Sequence, residues 1–461
     1  MTPENERKVL ESLYDRLFDA ICYAPSGKTA PWHSSNTFIQ MAQNIVLDPA
    51  DFENMMTPGN PGGDLTKAEL FAALVDALPN TDAAWSDSGK KLSEVYATII
   101  NNANSDSQIN DQQKTIYQQA YDYLNVTKTM KDFTGAETTQ TDPSDIAIAY
   151  DDAQAAYITA VGGYRTAYNG YDLTKVDDQR AWNAVAPGLQ LTLDQAWSKW
   201  GRSGKAQVEQ AQNALATTIN DAVRYAIAES QSKINAQHQM APSTVGGSPW
   251  LPSYGLPTSW FTDGSNASKL TLKSSYLNET ASSSATSYAS SASGSRGLWH
   301  ASGGVSGSSE KKTAHMDADN FSLEAELFTV SIKRPWFNPL LFSMNSWFVS
   351  GIAAGGISNA VAEDLQGVMP IVPTGFVVAR NVKVSADFST SDQEFISNAI
   401  STQASGGWGP FSISGSYSHS SSSSSFQATF DGGTLELPGL QLIAWINTII
   451  PVSPPNAASA G

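Results

Sequence analysis

Five histidines are the first place to look for acid–base or metal chemistry: His33, His238, His300, His315 and His419. They lie far apart, none belongs to an HExxH motif, and none stands beside a cysteine at metal-ligand spacing. The single cysteine, Cys22, follows Phe18 by four on an apolar helical face and reads as a small buried hydrophobe; alone, it permits no disulfide within the chain. Serine is abundant, yet there is no G-x-S-x-G elbow, no Walker loop and no dinucleotide fingerprint. The tract GGVSGSS at Gly303 to Ser309 lacks the Lys-Ser/Thr that a phosphate loop needs. Among carboxylate pairs, Asp151-Asp152 and Asp177-Asp178 read as exposed helix and turn charges, and Glu324 and Glu326 fall on the polar side of a strand. Asn102 to Gln113 has the outline of a calcium loop, with oxygen side chains at places one, three and five. Ser107 stands where that loop wants glycine and Gln113 where it wants a bidentate glutamate, so a capped helix–loop–helix is the better reading. These residues predict no enzyme, no metal and no cofactor.

Composition narrows the partners. Charged residues make up 15% of the 461, against about 25% in a typical soluble protein. The formal net charge of −17 argues against nucleic acid and against simple electrostatic attraction to anionic lipid. Trp250, Tyr254, Trp260 and Trp408 sit in loop-like surroundings and read first as packing aromatics at a domain junction; that such rings also stack on sugars keeps carbohydrate as a candidate partner. The N-terminus, MTPENERKVLESL, is polar and then amphipathic, without an apolar signal core. The expectation is export without a classical signal peptide, with a cytoplasmic location as the open alternative.

The elements that must position these residues divide at about residue 241. Residues 1–241 predict an all-α helical bundle domain. Val9, Leu10, Leu13, Tyr14, Leu17, Phe18 and Ile21 line one helical face, and Phe38 to Leu47, Leu65 to Leu78, Leu92 to Ile100 and Ile116 to Val126 read as further helices. Tyr150, Tyr157, Tyr164 and Tyr171 recur every seven residues, with Ala153, Ala160 and Ala167 three places behind. That is a helix seam in which alanine permits close approach; Leu193 to Ala236, with Trp197 and Trp200, is the expected antiparallel partner within the chain.

Residues 242–269 form a Pro/Gly-rich linker, 270–451 an antiparallel β-rich, sandwich-like domain, and 452–461 a disordered tail. The whole is therefore an α+β chain, helical first and sheet-rich second, with Ser/Gly-rich hairpins. Phe321, Leu323, Ala325 and Leu327 alternate, and Phe328, Val330 and Ile332 continue in the opposite phase, as at a bulge. Phe376, Val378, Val382, Val384, Ala386 and Phe388 form the cleanest strand, and Ser391 to Glu394 reads as a capping box. Nothing between Arg334 and Glu363 is charged, but prolines and asparagines interrupt it, so a buried connection is favoured over a spanning helix.

Gly406 to Phe430, GGWGPFSISGSYSHSSSSSSFQATF, carries no charge. Phe411, Ile413 and Tyr417 alternate with serines, and Phe426 and Phe430 continue the apolar pattern after a serine-rich turn; Trp408 leads in. A second uncharged tract runs from Ser282 to Ser309, broken by Arg296. Transmembrane strands need about nine to eleven residues with no charge toward lipid, and Phe411 to His419 fits. In composition these two stretches resemble the Ser/Thr-rich insertion hairpins of β-pore-forming toxins. The leading expectation is thus a non-enzymatic, membrane-acting protein that oligomerises into a β-pore. The alternatives are a self-assembling structural protein pairing uncharged strands between copies, and a carbohydrate-binding module.

Overall fold

In a computed structural model of the chain, the structure describes residues 3–22, 32, 35–60, 62–105, 111–131, 137–171, 175–217, 223–240, 250–262, 268–274, 281–286, 288–289, 298–301, 320–402, 406–418, 425–437 and 439–457. The fold is mixed α+β, with 43% of the described residues helical and 31% in strands, and the sheets are antiparallel. The first half supplies α1 (Pro3–Cys22), β1 (Thr37–Leu47), α2 (Leu65–Val75), β2 (Ala77–Pro79), β3 (Asp87–Lys91), α3 (Leu92–Asn102), β4 (Ala103–Ser105), α4 (Asp111–Leu124), β5 (Asn125–Lys131) and β6 (Glu137–Pro143). Four helices follow: α5 (Asp145–Asn169), α6 (Val176–Arg202), α7 (Lys205–Thr217) and α8 (Val223–Met240). The second half adds β7 (Tyr254–Leu256), β8 (Ser268–Lys273), β9 (Trp299–Ala301), β10 (Ser322–Lys333), β11 (Trp347–Val349), β12 (Ile371–Ser385) and α9 (Thr390–Thr402). Its last strands are β13 (Gly406–Trp408), β14 (Phe411–Ser416), β15 (Ser425–Gln427), β16 (Thr429–Phe430), β17 (Thr434–Leu437) and β18 (Leu440–Ile449).

The main sheet runs β1-β18-β12-β10-β7, with β8 also on β10, and β17 bridging β12 to β16. Its first strand comes from the opposite end of the chain to its second. Phe38 to Leu47 therefore forms a strand, not the helix its apolar run suggests. A short apolar run buried on both sides carries no periodicity to separate helix from strand, and here the tertiary partner decides. Ile39 and Met41 are buried, and so is Gln40 between them, its amide donating to the carbonyls of Asn80 at 2.7 Å and Asp82 at 2.5 Å. Residues 241–249, where the domain boundary is expected, lie outside the described residues; strands from both sides of it share this sheet.

Both faces of the sheet are covered. On β10 the odd residues Leu323, Ala325 and Leu327 enter one core, and the even residues Phe328, Val330 and Ile332 enter the other. The apparent change of phase at Leu327–Phe328 is thus a change of which face is covered. The bulge itself lies in β12, where Glu324 pairs with Lys383 and Glu326 with Arg380. Asn381 takes φ 51°, and the extra residue turns Val382 and Val384 to the face opposite Phe376 and Val378. The first core packs the sheet against α1, α9 and β13–β14; the second packs it against α2, Trp250 and Trp260. A third core joins α3, α4, α7 and α8 to the uncharged connection, burying Trp336, Phe342, Trp347 and Ile357. Ser453, in the stretch expected as a disordered tail, is fully buried and donates its N–H to the Ser358 carbonyl at 3.0 Å. The capping box of α9 is Ser389 with Asp392 rather than Ser391 with Glu394, the Ser389 N–H reaching Asp392 Oδ2 at 2.9 Å.

Candidate functional site

The charge-free hairpin forms its own four-stranded sheet, ordered β15-β14-β13-β9. Within it Trp408, Phe411 and Ile413 are completely buried, Trp408 stacking on Phe321 with centroids 5.7 Å apart. The serine face of β14 is buried too: Ser412 is 3% and Ser414 1% exposed. That is possible because each polar group is paired. The Ser412 N–H donates to Gln441 Oε1 at 2.7 Å, the Gln441 amide returns a bond to the Ser412 carbonyl, and Ser414 Oγ donates to the Ala399 carbonyl at 2.8 Å. The missing charge in β14 therefore matches burial on two faces. Beyond the strand, the Tyr417 ring meets Phe426 at 5.6 Å and Phe430 meets Phe388 at 5.4 Å. The Ser418 N–H donates to the Val46 carbonyl at 2.7 Å, tying the hairpin to β1. The serine tip and His419 lie outside the described residues, as do Asp106 to Asn110 of the calcium-like segment.

The tyrosine seam is brought together on α6, running antiparallel to α5. Tyr150 meets Trp200 at 5.5 Å, Tyr157 sits between Trp197 and Trp200 at 5.2 and 5.3 Å, and Tyr164 meets Trp182 edge-on at 5.5 Å. Ala153 is fully buried and Ala160 partly so, as close helix approach requires. Lys205 lies 4.7 Å over the Trp200 ring and bonds Glu209 at 2.6 Å. Only Leu193 and Trp200 of α6 are buried, while Val176, Val185 and Leu191 are exposed at 59%, 41% and 58%.

All four loop aromatics are buried in cores, and Tyr254 and Trp250 also line clefts. The Tyr254 cleft, of about 380 Å³, also holds Phe52, Asn60 and Asp152. The Trp250 cleft, of about 430 Å³, adds Trp85 and Trp445 with Glu69, Asp76, Asp87, Lys90 and Lys91 on its walls. Trp85 sits in a polar loop of the sequence, and nothing local announces its stacking on Trp445, 360 positions away. Asp76 accepts the Ser93 N–H at 2.8 Å and its hydroxyl at 2.6 Å, and burial raises its carboxyl above the usual range despite those bonds and the nearby Arg334.

Among the described residues no group of three or more His, Cys, Asp or Glu could hold a metal ion, and no helix is long and apolar enough to cross a membrane. Compared with protein-family models, curated proteins and solved structures, the chain matches none.

Proposed function

We propose that this is a non-enzymatic, membrane-acting protein whose folded form holds the first strand of an uncharged hairpin inside the molecule and releases that hairpin to oligomerise in lipid. One observation carries the reading: β14, from the stretch with no charge between Gly406 and Phe430, is buried on both faces in a small sheet separate from the main one. A strand with no charge and only small polar groups on its second face can exchange a protein interior for lipid without stranding an ion. The helical elements α3–α8 then form a bundle beside a sandwich of the two sheets, and α6, with its exposed valines and leucine, is the outermost layer. The route of export belongs to the same proposal.

Dye release from liposomes of several compositions, with the mass distribution recorded before and after, tests this. Release accompanied by a larger discrete species is expected; intact vesicles at every composition would refute it. A second reading, pairing of uncharged strands between copies, is favoured by β15, the last described strand of its sheet, whose Ser425 and Gln427 are exposed. Large species already present without lipid would select it.

A further inference from the structure

We infer that the cleft between Trp85, Trp250 and Trp445 binds a neutral sugar. Its volume of about 430 Å³ falls within the range of roughly 300–1,000 Å³ typical of small-ligand sites. The aromatic wall is built by packing: Trp85 and Trp445 stack with centroids 6.0 Å apart and planes at 27°. Trp445 and Trp250 are 2% and 8% exposed and so fixed in place, while Trp85 is partly exposed and offers ring surface at the opening. The indole N–H of Trp445 is buried with no hydrogen-bond partner among the described residues.

Around that wall stand groups of both signs. Glu69, Asp76 and Asp87 supply carboxylates, and Lys90 and Lys91 supply ammoniums. Asp76 is held in place by Ser93, and Asp87 Oδ1 accepts the Gly89 N–H at 2.8 Å. An aromatic box for a cation would carry acids without the lysines, and an anion site the reverse. Mixed acceptors and donors beside flat rings suit a ligand with an apolar C–H face and a rim of hydroxyls. Those hydroxyls donate to the carboxylates and accept from the lysines, and the sugar's face lies on indole. Trp408, buried away from this cleft, plays no part.

This inference does not rest on the stored hairpin, and its test contains no lipid. Neutral mono- and disaccharides of glucose, galactose and N-acetylglucosamine are titrated by calorimetry and by tryptophan fluorescence, with tetramethylammonium as the cationic probe. Saturable binding of at least one saccharide is expected, weakened about tenfold or more by Trp85→Ala, a loss of about 1.4 kcal/mol. Trp85→Phe, which keeps a ring, should stay within a few-fold, and Asp87→Asn, an exposed change, should weaken binding without lowering the melting temperature. The inference is overturned by absence of saccharide binding to the native protein, by preference for tetramethylammonium, or by equal affinity in native protein and a folded Trp85→Ala variant.

Discussion

Asp76 joins the end of α2 to the start of α3 through both oxygens, and Arg334 faces it from the neighbouring strand end, donating to the carbonyls of Pro373 and Val75. Burial is the dominant influence on each: it raises the Asp76 carboxyl and lowers the Arg334 guanidinium to about 10. The unfolded carboxyl titrates near its ordinary value of about 3.9. Because the folded value is higher, the stability this group contributes is present in acid and is lost as pH rises through the raised value. Asp76→Asn removes that titration. Its melting temperature relative to native protein is expected to climb as pH rises above about 4; a difference that is flat or falls with pH would contradict the assignment. At Trp408 the expectation is simpler. Filling the space between Phe321 and Phe411 with alanine leaves a cavity, and Trp408→Ala should cost about 3–5 kcal/mol in denaturant melts. Its loop-like surroundings in the sequence favour packing but leave sugar stacking open, because Gly, Pro and Ser around a tryptophan look alike whether they expose it or close over it.

At the scale of elements, the legible parts are those whose partner shares their period. The tyrosine heptad of α5 announces a helical partner, and α6 supplies it with tryptophans, a choice that the pattern alone leaves open. Tyr157→Ala, which removes a ring lying between Trp197 and Trp200, should cost about 3–5 kcal/mol, whereas Leu191→Lys on the open side of α6 should change stability by within about 0.5 kcal/mol. Equal losses at the two sites would mean that the outer face is covered. Strand β1 is illegible as a strand because the partner of its buried Gln40 Oε1, the Asn447 amide that donates to it at 3.1 Å, comes from the opposite end of the chain. The change of phase at Leu327–Phe328 marks a change of covered face and not a bulge, whereas the bulge of β12 at Asn381 leaves no break in the even-numbered apolar run Phe376, Val378, Val382 and Val384. Asn381 at φ 51° has its amide on Glu326 at 3.0 Å, and Asn381→Val should cost about 1–3 kcal/mol while Asn381→Gly is better tolerated. A neutral valine variant would place the strain elsewhere.

For the whole molecule, the α+β class follows from composition and period, but the way the halves join does not. Strand β1 from the beginning of the chain lies on β18 near its end, and β14 lies against both. That contact is the one the proposed release must break. The stored strand was legible as a period-two, charge-free hairpin; the buried serine face was not, because Gln441 and Ala399, which satisfy it, have no local signature. The Ser418–Val46 backbone bond ties the hairpin to β1, and a cysteine pair at these two positions is the lock to place there. Cys22, whose thiol burial pushes up to about 12, competes poorly for oxidation.

The decisive measurement is therefore dye release by the Val46→Cys/Ser418→Cys variant, oxidised and then reduced, on vesicles that the native protein permeabilises. The oxidised protein should bind those vesicles without releasing dye, and reduction should restore release to near the native rate. Undiminished release from the fully oxidised protein would mean that the hairpin stays in place and is not the element that enters the membrane.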